Sequence, residues 1–179
     1  EANHLFSKFV ENNYLGWFKN PDTAPLLSHE LMKRKAFPLV DSSEDPVFFL
    51  LIDNLRYDQW KVIQPAIQEL FKIVEEDTYC SILPTATQYA RNAIFSGMMP
   101  SEIQKRFPDK WINDDEEEGK NNFEEDFLVD QIQRLRKTYK HSYTKVTNLE
   151  AGKALVDQVP NMFRNKLNVI VYNFVDMLS

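Results

Sequence analysis

Val47-Phe48-Phe49-Leu50-Leu51-Ile52-Asp53 is an unbroken apolar run that ends in a carboxylate. Apolar and polar residues do not alternate in it, which is the pattern of a strand covered on both faces by helices and hence of a parallel sheet. Val169-Ile170-Val171-Tyr172-Asn173-Phe174-Val175-Asp176 repeats the arrangement near the end of the chain. Working outward, the spacing predicts a helix from about Asp58 to Val74, kinked or split at Pro65, and a second strand over Thr78–Leu83. Further helices are expected from Ala86 or Thr87 to Phe95, Ser101 to Arg106, Glu124 to about Tyr139, and Ala151 to Phe163. Strands are expected at Tyr143–Val146 and Leu167–Phe174. This alternation predicts an α/β fold, a mostly parallel sheet sandwiched between helices.

Before the first strand, Leu5, Phe6, Phe9, Val10, Tyr14, Leu15 and Phe18 recur near helical spacing. An amphipathic helix from Asn3 to Phe18 follows, with its aromatic stripe expected to pack against the sheet or a preceding segment. Ser28 reads as the N-cap of a helix through about Lys35, and Asp41–Pro46 as a polar loop. The acidic run Asp114–Glu118, with Gly119 and Lys120, reads as a solvated loop.

At 179 residues the chain has room for one domain with a proper core. Its net charge of −6 argues against a general DNA-backbone binder, yet leaves a small phosphorylated substrate open, because bound cations invert the local field. The one cysteine, Cys80, forms no internal disulfide and is expected as an inert core thiol on a strand. No apolar run reaches membrane-spanning length and no signal-peptide pattern opens the chain, so a cytoplasmic location is expected.

Pro84-Thr85-Ala86-Thr87 carries the chemistry. It places a hydroxyl at the first turn of a helix, where backbone N–H groups and the helix dipole favour phosphate. Asp, Thr and Asp at one sheet edge would begin a metal-assisted phosphoryl-transfer site. A carboxylate at a strand tip is held rigidly and binds a divalent cation at little ordering cost. A threonine hydroxyl needs such a cation to act as a nucleophile at neutral pH. The chain has four glycines and none follows Asp53 in a phosphate-cradling loop, which disfavours a metal-free nucleotide-binding domain.

The Pro84–Thr87 run, with Gly97 ten residues and Pro100 thirteen residues after Thr87, resembles the nucleophile segment of the alkaline phosphatase superfamily in its phosphodiesterase and pyrophosphatase branch. More narrowly, Ile52-Asp53-Asn54-Leu55-Arg56-Tyr57-Asp58-Gln59-Trp60 and Thr85–Gly97 are similar to the PglZ domain, with the match closest to the output domain of PorX-type response regulators that control type IX secretion. The resemblance implies that residues 1–40 are a helical linker or the domain's N-terminal helices, and that 41–179 are the N-terminal part of the α/β domain. It implies Thr87 as nucleophile, attacking phosphorus in line to give a phosphothreonine that water then hydrolyses. Asp53 and Thr87 would share one metal and Asp176 would hold the other, two zinc ions with manganese as the alternative.

Thr87 is preferred to Thr85 because its spacing to Gly97 fits the superfamily pattern, while Thr85 suits a cap or turn. Arg91, one turn into the helix, could contact a phosphate oxygen or pair with a nearby acid, and Asn92 is a weaker phosphate-binding candidate. Arg56 and Asp58 are expected to brace the loop by a salt bridge, and Trp60 and Trp111 to be core or interface aromatics. Family members also use a histidine four residues after the later aspartate; that position falls just beyond Ser179, so half a metal site is expected here. His4, His29 and His141 lack ligand spacing and read as surface or packing residues. The function expected is thus a metal-dependent phosphodiesterase or phosphatase, the output domain of a response regulator. The expected partners are a phosphate ester (a nucleotide among the options), a second copy of the chain and signalling proteins, without membrane. The alternative is a non-catalytic signalling and interaction module.

Overall fold

The computed structural model describes residues 1–112 and 121–173. In chain order these form α1 (Ala2–Lys19), short 3-10 turns at Pro21–Thr23 and Ser28–Glu30, a π-helical turn Met32–Ala36, α2 (Phe37–Ser42), β1 (Val47–Ile52) and α3 (Tyr57–Gln68). Then come α4 (Thr87–Ser96), α5 (Pro100–Arg106), a 3-10 turn Pro108–Lys110, α6 (Glu124–Arg134), β2 (His141–Val146), α7 (Leu149–Met162) and β3 (Leu167–Tyr172). The chain divides into two compact units, one of Glu1–Met32 with Thr78–Leu128, the other of Lys33–Asp77 with the chain from Val129 onward.

The second unit holds a three-stranded parallel sheet of order β1-β3-β2, flanked by helices, as the apolar runs predict. The central strand β3 is buried along Leu167–Val171, which explains why it needs no polar alternation. On one face Val146 and Ile170 pack with Leu155 and Met162 of α7, and Phe48 meets Phe163 with ring centroids 5.7 Å apart. Each such buried aliphatic side chain contributes about 1.5–3 kcal/mol. The one buried polar residue of β3, Asn168, is satisfied. Its Nδ2 donates to Met162 O at 3.0 Å, and its Oδ1 accepts from Ser142 Oγ at 2.7 Å and Asn165 Nδ2 at 3.1 Å. Asn148 caps α7, its Oδ1 accepting from Ala151 N at 2.8 Å.

Several expectations need correction. α3 continues through Pro65 and stops at Gln68, short of Val74. The acidic segment beyond it is tied down by ion pairs instead: Lys35 reaches Glu75 at 2.5 Å and Asp77 at 2.8 Å, and Lys61 reaches Glu76 at 2.7 Å. α6 ends at Arg134 rather than near Tyr139. Arg136 adopts φ 53°, while Lys137 N donates to Ile132 O and Arg136 N to Gln133 O, a left-handed cap that stops the helix.

In the first unit, Thr78–Leu83 is not a strand of the sheet. Only one isolated parallel bridge forms, Leu27 with Cys80. The backbone donors of this segment are taken by unlike partners: Cys80 N by Leu26 O at 2.8 Å, Ile82 N by Ser28 Oγ at 3.1 Å and Leu83 N by the Tyr14 hydroxyl at 2.7 Å. With donors shared in this way, no ladder propagates. Ser28 accordingly serves Ile82 and not the start of a helix; 3-10 and π turns occupy its stretch up to Ala36, and α2 then covers Asp41 and Ser42 of the expected loop.

α1 forms nearly over the expected residues, and most of its aromatic stripe is exposed among the described residues. Trp17 alone of the helix is buried, with Leu27, Ile82, Ala90 and Ala93; Leu5, Phe6, Phe9 and Leu15 are 61%, 62%, 50% and 73% exposed. Cys80 is half-buried against this cluster and lies off any strand. The acidic run Asp114–Lys120 and the residues from Phe174 onward lie outside the described residues. Among the described residues, no helix is long and apolar enough to cross a membrane.

Candidate functional site

Asp53 stands at the carboxyl edge of the sheet, half-buried, immediately after β1. Parallel pairing aligns Ile52 with Tyr172 and Tyr172 with Val146, so all three strands finish at one edge. Asp53 N donates to Tyr172 O at 2.9 Å, carrying the ladder one residue past the strand, and Asn54 at φ 57° turns the chain away. The tip is therefore held by backbone on two sides, as a positioned carboxylate requires. Asn173 N donates to Val146 O at 2.9 Å and brings the chain to the same edge. Asp176, three residues on, lies outside the described residues.

The loop after Asp53 is braced as its charges suggest. Arg56 Nε and Nη2 donate to Asp58 Oδ1 and Oδ2 at 3.0 and 2.9 Å, and this guanidinium holds the Asp58 carboxyl below the usual carboxylate range. Arg56 N donates to Gln59 Oε1 at 2.9 Å, securing the first turn of α3. Trp60 of that helix is half-buried.

Thr87 is the first residue of α4 in the other unit. The residue at the N-cap is Ala86, whose methyl cannot accept a hydrogen bond from the first turn. Thr85 is exposed and does not cap, against expectation. At the far end Gly97, at φ 64°, closes α4 as a left-handed cap with its N–H on Ala93 O. Residues Ala90–Ser96 between them are buried, so both ends of this helix are anchored by its middle. Tyr89 lies against Trp111, ring centroids 5.8 Å apart.

Arg91 and Asn92 are both buried in α4. The Arg91 guanidinium meets Glu124 at the start of α6 through two bonds of 2.7 Å, Nε to Oε1 and Nη2 to Oε2. Their side chains are 4% and 0% exposed. Glu124 is the residue that reading the sequence passed over. The signal was present: Glu124, Phe127, Leu128 and Gln131 share one helical face, and that face is buried. A carboxylate on an apolar face must have a cationic partner.

The three histidines differ in setting. His4 is exposed on α1 and His141 is half-buried at the start of β2. His29 Nδ1 is buried without a hydrogen-bond partner, and burial lowers the imidazole pKa against the opposing pull of Glu30 and Glu102. Among the described residues, no group of three or more His, Cys, Asp or Glu side chains is placed to hold a metal ion.

The model of the PglZ family, described as the BREX system PglZ alkaline phosphatase-like domain, matches residues 31–179. No curated protein matches the chain. The match spans most of the sequence, so the chain belongs to the PglZ family, with an alkaline phosphatase-like α/β fold; α1 lies outside the matched residues.

Proposed function

Proceeding from membership of the PglZ family, we propose that this chain carries the nucleophile of a metal-dependent phosphodiesterase or phosphatase, with Thr87 attacking the phosphoryl group. The observation that carries the reading is Thr87 at the first position of an α-helix whose N-cap residue is Ala86, in a family whose fold is alkaline phosphatase-like. A phosphoryl oxygen approaching there meets backbone N–H groups and the positive end of the helix dipole, where developing negative charge is favoured. The Thr87 hydroxyl attacks phosphorus, the ester oxygen departs opposite it, and water later cleaves the phosphothreonine. Asp53 and Asp176 would hold two divalent cations, zinc or manganese, which suit carboxylate donors joined by imidazole from elsewhere. When bound, such cations supply positive charge against the transferring group and lower the pKa of the attacking hydroxyl. Within α4, Arg91 and Asn92 sit behind Thr87. The Arg91–Glu124 pair holds that helix to α6, which makes positioning the role this geometry supports for Arg91.

We place the domain as the output module of a PorX-type response regulator, cytoplasmic, acting on a phosphate ester such as a nucleotide. A second reading, a non-catalytic signalling module that docks partners or a second copy, is favoured by the exposed apolar side chains of α1. Replacing Thr87 by alanine in the complete protein separates the two. With zinc or manganese supplied, hydrolysis of bis(p-nitrophenyl) phosphate should fall at least about a thousand-fold in Thr87→Ala. Thr85→Ala should keep most of the activity, and circular dichroism should be unchanged in both. Undiminished hydrolysis by Thr87→Ala rejects the assignment. Stoichiometric metal without turnover on any ester selects the signalling module.

A further inference from the structure

A groove of about 200 Å³ opens in the first unit, walled on one side by Phe6, Tyr14 and Trp17 of α1 and on the other by Tyr79 and Leu83. Thr85 also lines it. Among the described residues, no charged side chain lines it. Two of its rings are set in place: the Tyr14 hydroxyl accepts from Leu83 N at 2.7 Å, Tyr14 stands edge-on to Trp17 at 5.8 Å, and Trp17 is 8% exposed. Rings so fixed lose little freedom when a ligand enters.

We propose that this groove binds the aromatic ring of the ester's organic group, so that the domain selects aryl or nucleoside phosphates over alkyl phosphates. The proposal rests on the reading of Thr87 as nucleophile. An uncharged aromatic slot rejects the phosphate itself and accepts a flat apolar group, whose faces stack on Phe6, Tyr14 or Tyr79. The position suits that division of labour. Two residues of chain span at most about 7 Å, so Thr87 lies within that reach of Thr85, which lines the groove. This is comparable with the separation of phosphorus and ring in an aryl or nucleoside ester. One wall of the groove is α1, which lies outside the residues matched to the family.

The test measures binding, and needs no turnover. Dissociation constants of phenyl phosphate and methyl phosphate are determined by calorimetry on the complete protein with zinc or manganese present. They are then repeated on Phe6→Ala and Tyr79→Ala, whose parent side chains are 62% and 43% exposed and therefore dispensable for folding. Phenyl phosphate should bind about ten-fold or more tightly than methyl phosphate, within the range of ring-on-ring stacking. Each variant should shrink that ratio toward one while leaving methyl phosphate unchanged. A ratio near one in the unaltered protein overturns the proposal, as does a ratio that both variants preserve, or no binding of either phosphate. So does a dimer that Phe6→Ala dissociates while the ratio stays flat, since a second copy would then fill the groove. Thr87-dependent hydrolysis with a flat ratio removes the groove alone. A steep ratio without hydrolysis keeps the groove and removes the nucleophile.

Discussion

Replacing Glu124 by alanine leaves the Arg91 guanidinium charged, buried and without the carboxylate that now takes two of its N–H groups at 2.7 Å. The two side chains are 4% and 0% exposed, so water cannot step in as it would at the surface. An exposed pair of the same composition would contribute about 0–1 kcal/mol. Breaking a buried one by removing a single partner costs up to about 3–5 kcal/mol, because the surviving charge loses that carboxylate. For a chain of this size about 2–4 °C of Tm accompanies each kcal/mol, so Glu124→Ala should melt roughly 6–20 °C lower. Urea titration should show the same loss in midpoint, with little dependence on salt because the pair is shielded from counterions. The double variant Arg91→Met with Glu124→Leu removes both charges at similar volume and should recover most of the stability. The deficit of the two single variants then exceeds that of the pair, a coupling that independent sites do not show. If Glu124→Ala lies within about 1 kcal/mol of the parent, the buried ion pair is not what holds α4 in place, and the positioning role given to Arg91 goes with it.

Other outcomes follow from single features. Gly97→Ala forces a Cβ into the left-handed region at φ 64° and should cost about 1–2 kcal/mol in urea unfolding; a neutral effect would mean that α4 does not end there. Leu155→Ala empties part of the cluster of α7 with Val146, Met162 and Ile170, and should cost about 2–5 kcal/mol; a loss below 1 kcal/mol would show that α7 is not packed on the sheet. Burial puts the His29 imidazole below its ordinary 6.5, so on acidification the unfolded chain takes the proton first. The stability tied to His29 is complete above that value and is lost as pH falls from it toward the folded value. His29→Gln should therefore flatten the fall in urea midpoint between about pH 7 and 5, and an equally steep fall in the variant refutes the account.

Elements whose cause is local were legible. β1 was read to its exact ends, because an apolar run without alternation has few other uses in an α/β chain. α4 was legible too: the residues after Ala86 start it and Gly97 stops it, both by backbone preference. The salt bridge of Arg56 with Asp58 spans two residues and needs no distant partner.

What failed was non-local. Thr78–Leu83 has the composition of a strand, yet its donors go to Leu26, Ser28 and Tyr14, far off in sequence and unlike one another in chemistry. The stripe of α1 has helical spacing, but spacing says which residues share a face and not whether anything covers it. Among the candidate residues, the sequence marked Thr87, Asp53 and Arg91, while Glu124 emerged only once α6 was seen to turn it inward toward Arg91.

The sequence by itself determined the parallel strands, the helix that starts at Thr87, the carboxylate at the tip of β1 and, through its motifs, the family. These depend on periodicity, on caps and on residue type, which are properties of short stretches. Only the tertiary structure decided which charge faces Arg91, which side chains take the donors of 78–83, and how much of α1 is left uncovered. Each of these is a competition among partners dozens of residues apart, resolved by burial and geometry when the chain closes on itself.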